Sequence, residues 1–294
     1  MSHTTILYYK YVDLNEVESV FRNQKVLCES LNLTGRVILA NEGINGTIEG
    51  LTENVERYIV ETKRIVEFQD IVFKKSETQG NAFPKFSIKI RDEIVVTNLG
   101  CSNKLGPHRN LTGQYLSSNE LNKWFKENKN FYIIDMRNDY ESSVGHFYDS
   151  VLPKNLKHFR DLPKILPEIE HLKNQTVVTV CTGGVRCEKA SGFLVYHGFK
   201  NVYQLQDGIV TYMEKYPNQD FLGKLFVFDN RVVMGFNTKD PEHQVVGKCT
   251  KCNNQSEHLV DHYNSDGVRV LGIVCSDCLE PERLEELKEV LVIN

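Results

Sequence analysis

The 294-residue chain has no uninterrupted apolar stretch approaching the ~18–20 residues that a membrane-spanning helix requires. Integral membrane function of the helical kind is therefore not expected. The first residues, Met1-Ser2-His3-Thr4-Thr5-Ile6, contain neither a basic segment nor a long apolar one, so no secretory leader is expected either. Excess positive charge is also lacking: 35 Lys and Arg stand against 39 Asp and Glu, a net charge of −4. Overall charge thus does not mark a nucleic-acid binder, and any grip on phosphate has to be local. The eight cysteines lack the spacing of a disulfide framework. They fall as two single residues (Cys28 and Cys101), the neighbours Cys181 and Cys187, and two Cys-x-x-Cys pairs. That usage predicts a reducing compartment and a cytoplasmic protein.

With 40% hydrophobic and 25% charged residues the sequence has enough apolar content for packed cores, and its length suggests two or three units. Its most informative segment is an apolar strand, Val177-Val178-Thr179-Val180, that runs into Cys181-Thr182-Gly183-Gly184-Val185-Arg186 and then into a predicted helix over 187–196. A helix N-terminus points unsatisfied N–H groups and partial positive charge at whatever precedes it. Gly183 and Gly184 let the backbone curl so that successive N–H groups converge on one anionic sulfur. Arg186 adds a permanent cation. Each effect favours thiolate over thiol, and thiolate is the reactive form, which makes Cys181 and Arg186 the candidate catalytic residues and Thr182, Gly183, Gly184 and Val185 the candidate loop. A small buried cysteine at a strand end is the alternative. Cys187 is a candidate second thiol able to attack an oxidised Cys181, or else a small residue packed in the core.

The flanks narrow the choice. Phe131 to Ile134 reads as a buried strand that ends in Asp135-Met136-Arg137, and Gly145-His146-Phe147 follows. Beyond the helix, Val202 to Leu205 is a short strand closed by Asp207-Gly208-Ile209. As a set these motifs resemble a rhodanese domain over about 116–217. The resemblance implies a sulfur adduct on Cys181, with Asp135 and Arg137 as supporting residues that pair with each other or with nearby backbone. Only four residues separate Cys181 from Arg186, one fewer than in the phosphatases that share this fold, so a small group such as sulfur suits the loop better than phosphate.

Upstream, strands over 6–12, 36–40, 47–49, 86–90 and 94–96 alternate with two helices. The first carries Val17, Val20 and Phe21 at helical spacing behind a cap at Asp13 or Asn15, and the second is opened by Thr52. The order β-α-β-β-α-β predicts a ferredoxin-like α+β domain. Between Lys74 and Arg109, seven basic residues face three acidic ones, with Phe73, Phe83 and Phe86 interleaved. That composition suits either stacking on unpaired bases or a solvated edge strand with core phenylalanines. The segment Asn41 to Gly46 reads as a tight turn. Taken with Ala40 it spells Ala-Asn-Glu-Gly-Ile-Asn-Gly, and together with Cys-Thr-Gly-Gly-Val-Arg-Cys at 181–187 it resembles the tRNA uridine hydroxylase family of rhodanese-related proteins. The resemblance implies an acylphosphatase-like N-terminal domain, tRNA as partner, dioxygen as co-substrate, and conversion of a wobble uridine to 5-hydroxyuridine at Cys181. A sulfur donor or small-molecule reductant is a further expected partner, and no flavin or nicotinamide site is read.

After Pro217, residues 221–228 and 231–234 suggest a hairpin around Asp229-Asn230. Cys249-x-x-Cys252 and Cys275-x-x-Cys278, with 22 residues between them, suit a closed tetrahedral zinc ribbon, with metal-free thiols as the alternative. A charged helix is expected over 281–291. The expected organisation is thus a ferredoxin-like, acylphosphatase-like domain over 1–100, a linker over 101–115, an α/β rhodanese domain with a parallel sheet over 116–218, and a Cys-rich region over 219–294. Uridine hydroxylation is the expected activity. Sulfane-sulfur transfer through a Cys181 persulfide is the enzymatic alternative, and an inert RNA-binding scaffold the non-enzymatic one.

Overall fold

A computed structural model describes residues 2–99, 102–263 and 269–279. Its elements run β1 (His3–Tyr11), α1 (Val17–Ser30), β2 (Thr34–Ala40), β3 (Gly43–Leu51), α2 (Thr52–Lys63), β4 (Val72–Thr78), β5 (Phe86–Ile90), β6 (Gln114–Leu116), α3 (Ser118–Lys126), β7 (Tyr132–Asp135), α4 (Asp139–Ser143), β8 (Gly145–Phe147), α5 (Leu166–Ile169), β9 (Thr176–Val180), α6 (Val185–Tyr196), β10 (Asn201–Leu205), α7 (Gly208–Lys215), β11 (Phe221–Gly223), β12 (Leu225–Phe226), β13 (Val233–Met234), β14 (Leu259–Tyr263) and β15 (Arg269–Ile273). They divide into two compact units, 1–113 together with 185–198, and 114–184 together with 199–294.

The first unit carries a five-stranded sheet in the order β4-β1-β3-β2-β5. Strands β1 and β2 each run antiparallel to β3 between them, and β4 runs antiparallel to β1. This is the ferredoxin-like, acylphosphatase-like arrangement, extended by β5 parallel to β2. Ile6 and Tyr8 from β1, Val37 and Leu39 from β2, and Ile44 and Ile48 from β3 form one buried face. Helix α2 adds Val55 and Tyr58 to it, and Val17, Val20 and Phe21 of α1 pack there at the spacing expected of an inward helical stripe.

Several local expectations are corrected here. Helix α1 begins behind Glu16, and neither Asp13 nor Asn15 caps it; Asp13 instead takes both guanidinium arms of Arg109 at 2.5 and 2.7 Å. Helix α2 has Leu51 at its cap position, and Thr52 Oγ1 bonds to Ser2 and Thr4. The β2–β3 turn is only Asn41-Glu42, because Ala40 already pairs with Gly43. Gly43 has φ +139°, and a Cβ there would sit 1.9 Å from Lys10 O, so glycine is required. The sheet is completed by β4, whereas residues 94–96 form no strand. Phe73 and Phe86 are half-buried against the core and Phe83 is buried, so packing occupies at least part of each ring.

The second unit has a four-stranded, all-parallel sheet in the order β6-β10-β9-β7. Val178 and Val180 of β9, Ile133 of β7 and Leu205 of β10 meet Ile209 and Tyr212 of α7 and Leu121 of α3 in its core. A parallel sheet buried on its faces explains the continuous apolar runs of β7 and β9. The predicted hairpin after 217 is divided: β11 pairs with β8, and only β12 pairs with β13. Helix α6 begins two residues before the predicted start at Cys187. Cys101 and the charged helix expected over 281–291 lie outside the described residues. Among the described residues no helix is long and apolar enough to cross a membrane.

Candidate active site

Strand β9 is apolar and buried, and its last residue hands the chain to Cys181 at the carboxyl end of the parallel sheet, where α/β folds place their ligands. The Gly184 N–H donates to Cys181 Sγ at 3.2 Å. Gly184 adopts φ +99°, a conformation that glycine reaches without strain. An N–H aimed at sulfur favours the charged form of the thiol. The Cys181 residue is buried in this structure.

The carbonyl side of the loop is held as firmly. The first turn of α7 donates Ile209 N–H to Cys181 O at 3.0 Å and Val210 N–H to Thr182 O at 3.1 Å. Gly208, at φ +74°, makes the close approach possible: a Cβ would lie 2.6 Å from Thr182 O and 2.7 Å from Gly183 Cα. Thr182 Oγ1 donates to Glu141 Oε2 at 3.3 Å. Glu141 is itself fully buried and accepts the Asn138 N–H at 3.0 Å in the capping box of α4. Glu141 and Gly208 were not foreseen as site residues. Asn138-x-x-Glu141 is the sequence signal that identifies the first, because a side chain three residues into a helix reaches back to its cap.

Asp135 and Arg137, at the end of β7, form a fully buried fork with Nε–Oδ1 at 2.9 Å and Nη2–Oδ2 at 2.6 Å. The guanidinium also donates to the carbonyls of Glu141 and Gly145. Between them, the Met136 N–H donates to Val180 O, which ties this corner to the residue before Cys181. His146 Nδ1 lies 2.9 Å from Ser142 O. A cleft of about 240 Å³ opens beside this corner, lined by Asp135, Arg137, Asp139, Ser142, His146 and Lys154 among others. Val185, Arg186 and Cys187 belong to the first turn of α6, and Arg186 and Cys187 are both buried.

A second cluster lies at the Cys-x-x-Cys pairs. The sulfurs of Cys249, Cys252, Cys275 and Cys278 lie within 4.8 Å of one another, a set that could hold a metal ion. Local bonds shape each knuckle: Asn253 N–H to Cys249 O, Thr250 N–H to Ile273 O, and Cys278 and Leu279 N–H to Cys275 O. Four thiolates at this separation suit a tetrahedral, borderline-soft cation without a vacant position. His243 Nε2 lies 2.6 Å from Glu257, and burial holds the His258 imidazole below its ordinary basicity.

A ferredoxin-like sheet, a parallel α/β sheet with a cysteine loop at its carboxyl end, and a four-cysteine cluster define a rhodanese-like protein with an acylphosphatase-like N-terminal domain. Family models agree: residues 3–94 match the UPF0176 acylphosphatase like domain, 117–215 the rhodanese-like domain, and 222–284 the rhodanase C-terminal region. The chain is 45% identical over 251 residues to the tRNA uridine(34) hydroxylase of Aster yellows witches'-broom phytoplasma, covering 84% of this chain and 79% of that protein. It is 38% identical to the protein of the same name from Staphylococcus carnosus, covering 96% and 92%, and 39% identical to that of Bacillus licheniformis, covering 94% and 84%. The chain belongs to the tRNA uridine(34) hydroxylase family.

Proposed function

We propose that this protein hydroxylates uridine 34 of tRNA to 5-hydroxyuridine, with Cys181 as the reactive group. The observation that carries the reading is the Gly184 N–H directed at Cys181 Sγ, within a chain whose relatives of that name align along most of its length. Delivering one oxygen atom of dioxygen to the uracil ring sends the other to water and consumes two electrons, so a small-molecule reductant is a required partner. In this reading Thr182 to Val185 shape the loop, Arg186 contributes positive charge from the first turn of α6, and Asp135 and Arg137 hold the corner beside it. Cys187 is the candidate resolving thiol. The base is taken out of the anticodon stack to reach an enclosed sulfur. A zinc ion held by Cys249, Cys252, Cys275 and Cys278 serves structure, and a tRNA substrate places the protein in the cytoplasm.

Sulfane-sulfur transfer is the second reading, favoured by the rhodanese-like match over 117–215. A glycine loop that steadies a thiolate can also receive the outer sulfur of a persulfide. Nucleoside analysis of tRNA from cells with and without the gene separates the two. Loss of 5-hydroxyuridine supports hydroxylation, while unchanged nucleosides together with thiosulfate:cyanide activity in the purified protein support sulfur transfer.

A further inference from the structure

Helix α6 leaves the reactive loop at Val185, yet its packing lies in the first unit, with residues 1–113. Lys189, one turn into the helix, is fully buried. Its Nζ lies 2.8 Å from Glu42 Oε1, 2.8 Å from Glu93 Oε2 and 2.9 Å from Ser102 Oγ. Glu42 belongs to the two-residue turn between β2 and β3, and the oxygen that meets Lys189 also accepts the Ile94 N–H at 2.8 Å. Glu93 is fixed by Thr97 N–H and Oγ1 at 3.0 and 2.8 Å and by Ser102 Oγ at 2.8 Å. Around them, Tyr11 donates its hydroxyl to Val185 O at 3.2 Å, Tyr9 to Glu188 at 3.1 Å, and Gly113 N–H to Ser191 Oγ at 2.7 Å. At Gly192 a Cβ would stand 2.2 Å from Leu111 O, so the helix lies directly against that strand of backbone.

A lysine without exposed surface is costly unless paired. Here two carboxylates pair it, both supplied by loops of the first unit whose own geometry is fixed by backbone donors. A hydrophobic contact would hold the helix as well; an ion pair with three bonds at Nζ additionally fixes its rotation and its position along its axis. The end of the helix so fixed is the one that continues from Gly184, whose N–H faces the sulfur.

We propose that Glu42 and Lys189 are positioning residues for the reactive loop: the turn carboxylate pins the first turns of α6 through Lys189, and so keeps the Cys181–Arg186 segment in the form that directs the Gly184 N–H at the sulfur. Glu42 of the β2–β3 turn then acts on the loop through Lys189. This rests on the reading of Cys181 as the reactive thiol.

Glu42→Ala removes the shared acceptor of Lys189 and Ile94 but leaves Glu93 to neutralise the lysine, so the fold is retained. Glu42→Gln keeps an oxygen at that place. Lys189→Met removes the cation itself. The Cys181 titration is read from thiolate ultraviolet absorbance as a difference against Cys181→Ser, on full-length protein. In Glu42→Ala and Lys189→Met the midpoint rises by about one unit, a tenfold loss of thiolate, while Glu42→Gln stays at the wild-type midpoint. Hydroxylation of tRNA follows with kcat down about tenfold and KM for tRNA unchanged, as expected of a group that shapes the site without touching substrate. If Lys189→Met does not fold, Glu42→Ala decides. A folded Glu42→Ala protein with a wild-type titration midpoint overturns the proposal. The titration uses no tRNA, so it stands or falls separately from the hydroxylation reading.

Discussion

Replacing Arg137 by Met should unfold the second unit far more readily, and the structure sets the size of the effect. The guanidinium gives three bonds to Asp135 and one each to the Glu141 and Gly145 carbonyls, with both charged side chains fully enclosed. Removing one member of such a pair leaves an uncompensated buried carboxylate, at a cost of about 3–5 kcal/mol. The two orphaned carbonyls add about 1 kcal/mol each. Lysine at this position restores charge but not the planar fork, so Arg137→Lys recovers only part of the loss. The double variant Asp135→Asn/Arg137→Met removes both charges of this pair and should be more stable than Arg137→Met alone. The assay is already present in the chain: its single tryptophan, Trp124, packs on the core of this unit, so its fluorescence reports urea unfolding there. With a slope of about 2–3 kcal/mol per molar urea, the summed loss of about 5–7 kcal/mol should lower the midpoint for Arg137→Met by roughly 2–3.5 M. A fall corresponding to less than about 1 kcal/mol, or a double variant less stable than Arg137→Met, would refute the reasoning from buried-charge compensation.

Other outcomes follow from the same geometry. Gly208→Ala forces a Cβ into Thr182 and Gly183 at a positive φ, so hydroxylation should drop steeply for a stability loss of about 1–3 kcal/mol, measured by paired activity and melting assays. The purified protein should carry one zinc per chain by elemental analysis, and Cys275→Ser or prolonged chelation should release it and lower the melting temperature. Burial opposes ionisation of Glu93, but Lys189, Ser102 and Thr97 outweigh it and hold the carboxyl below its ordinary value. Its contribution to stability is therefore present at neutral pH and lost as pH falls through and below the usual carboxylate range. Glu93→Gln should flatten that part of the stability–pH curve.

The strand–loop–helix course around Cys181 was legible because its signal is local: an apolar strand, a glycine pair and a helix in unbroken succession. The ferredoxin-like order was legible for the same reason, from alternating periodicities. Strand β4 was not, since Val72-Phe73-Lys74-Lys75-Ser76-Glu77-Thr78 is a half-exposed edge strand whose charged residues obscure the hydrophobic alternation. The caps at Asp13 and Thr52 failed because tertiary partners claimed those side chains, Arg109 in one case and Ser2 and Thr4 in the other. Lys189 gave no warning at all. Its sequence neighbours are those of an ordinary helix, and its partners Glu42 and Glu93 lie far away in the chain. Phe73, Phe83 and Phe86 show the converse limit, since aromatic residues among lysines look alike whether they stack on bases or fill a core.

In the proposed function one sulfur, that of Cys181, performs the modification. A strain lacking the gene, complemented with the wild-type chain or with Cys181→Ser at matched protein levels, should be compared by mass spectrometry of its tRNA nucleosides. The wild-type chain should give 5-hydroxyuridine at position 34, and Cys181→Ser none. Undiminished 5-hydroxyuridine from the serine variant would contradict that role of Cys181.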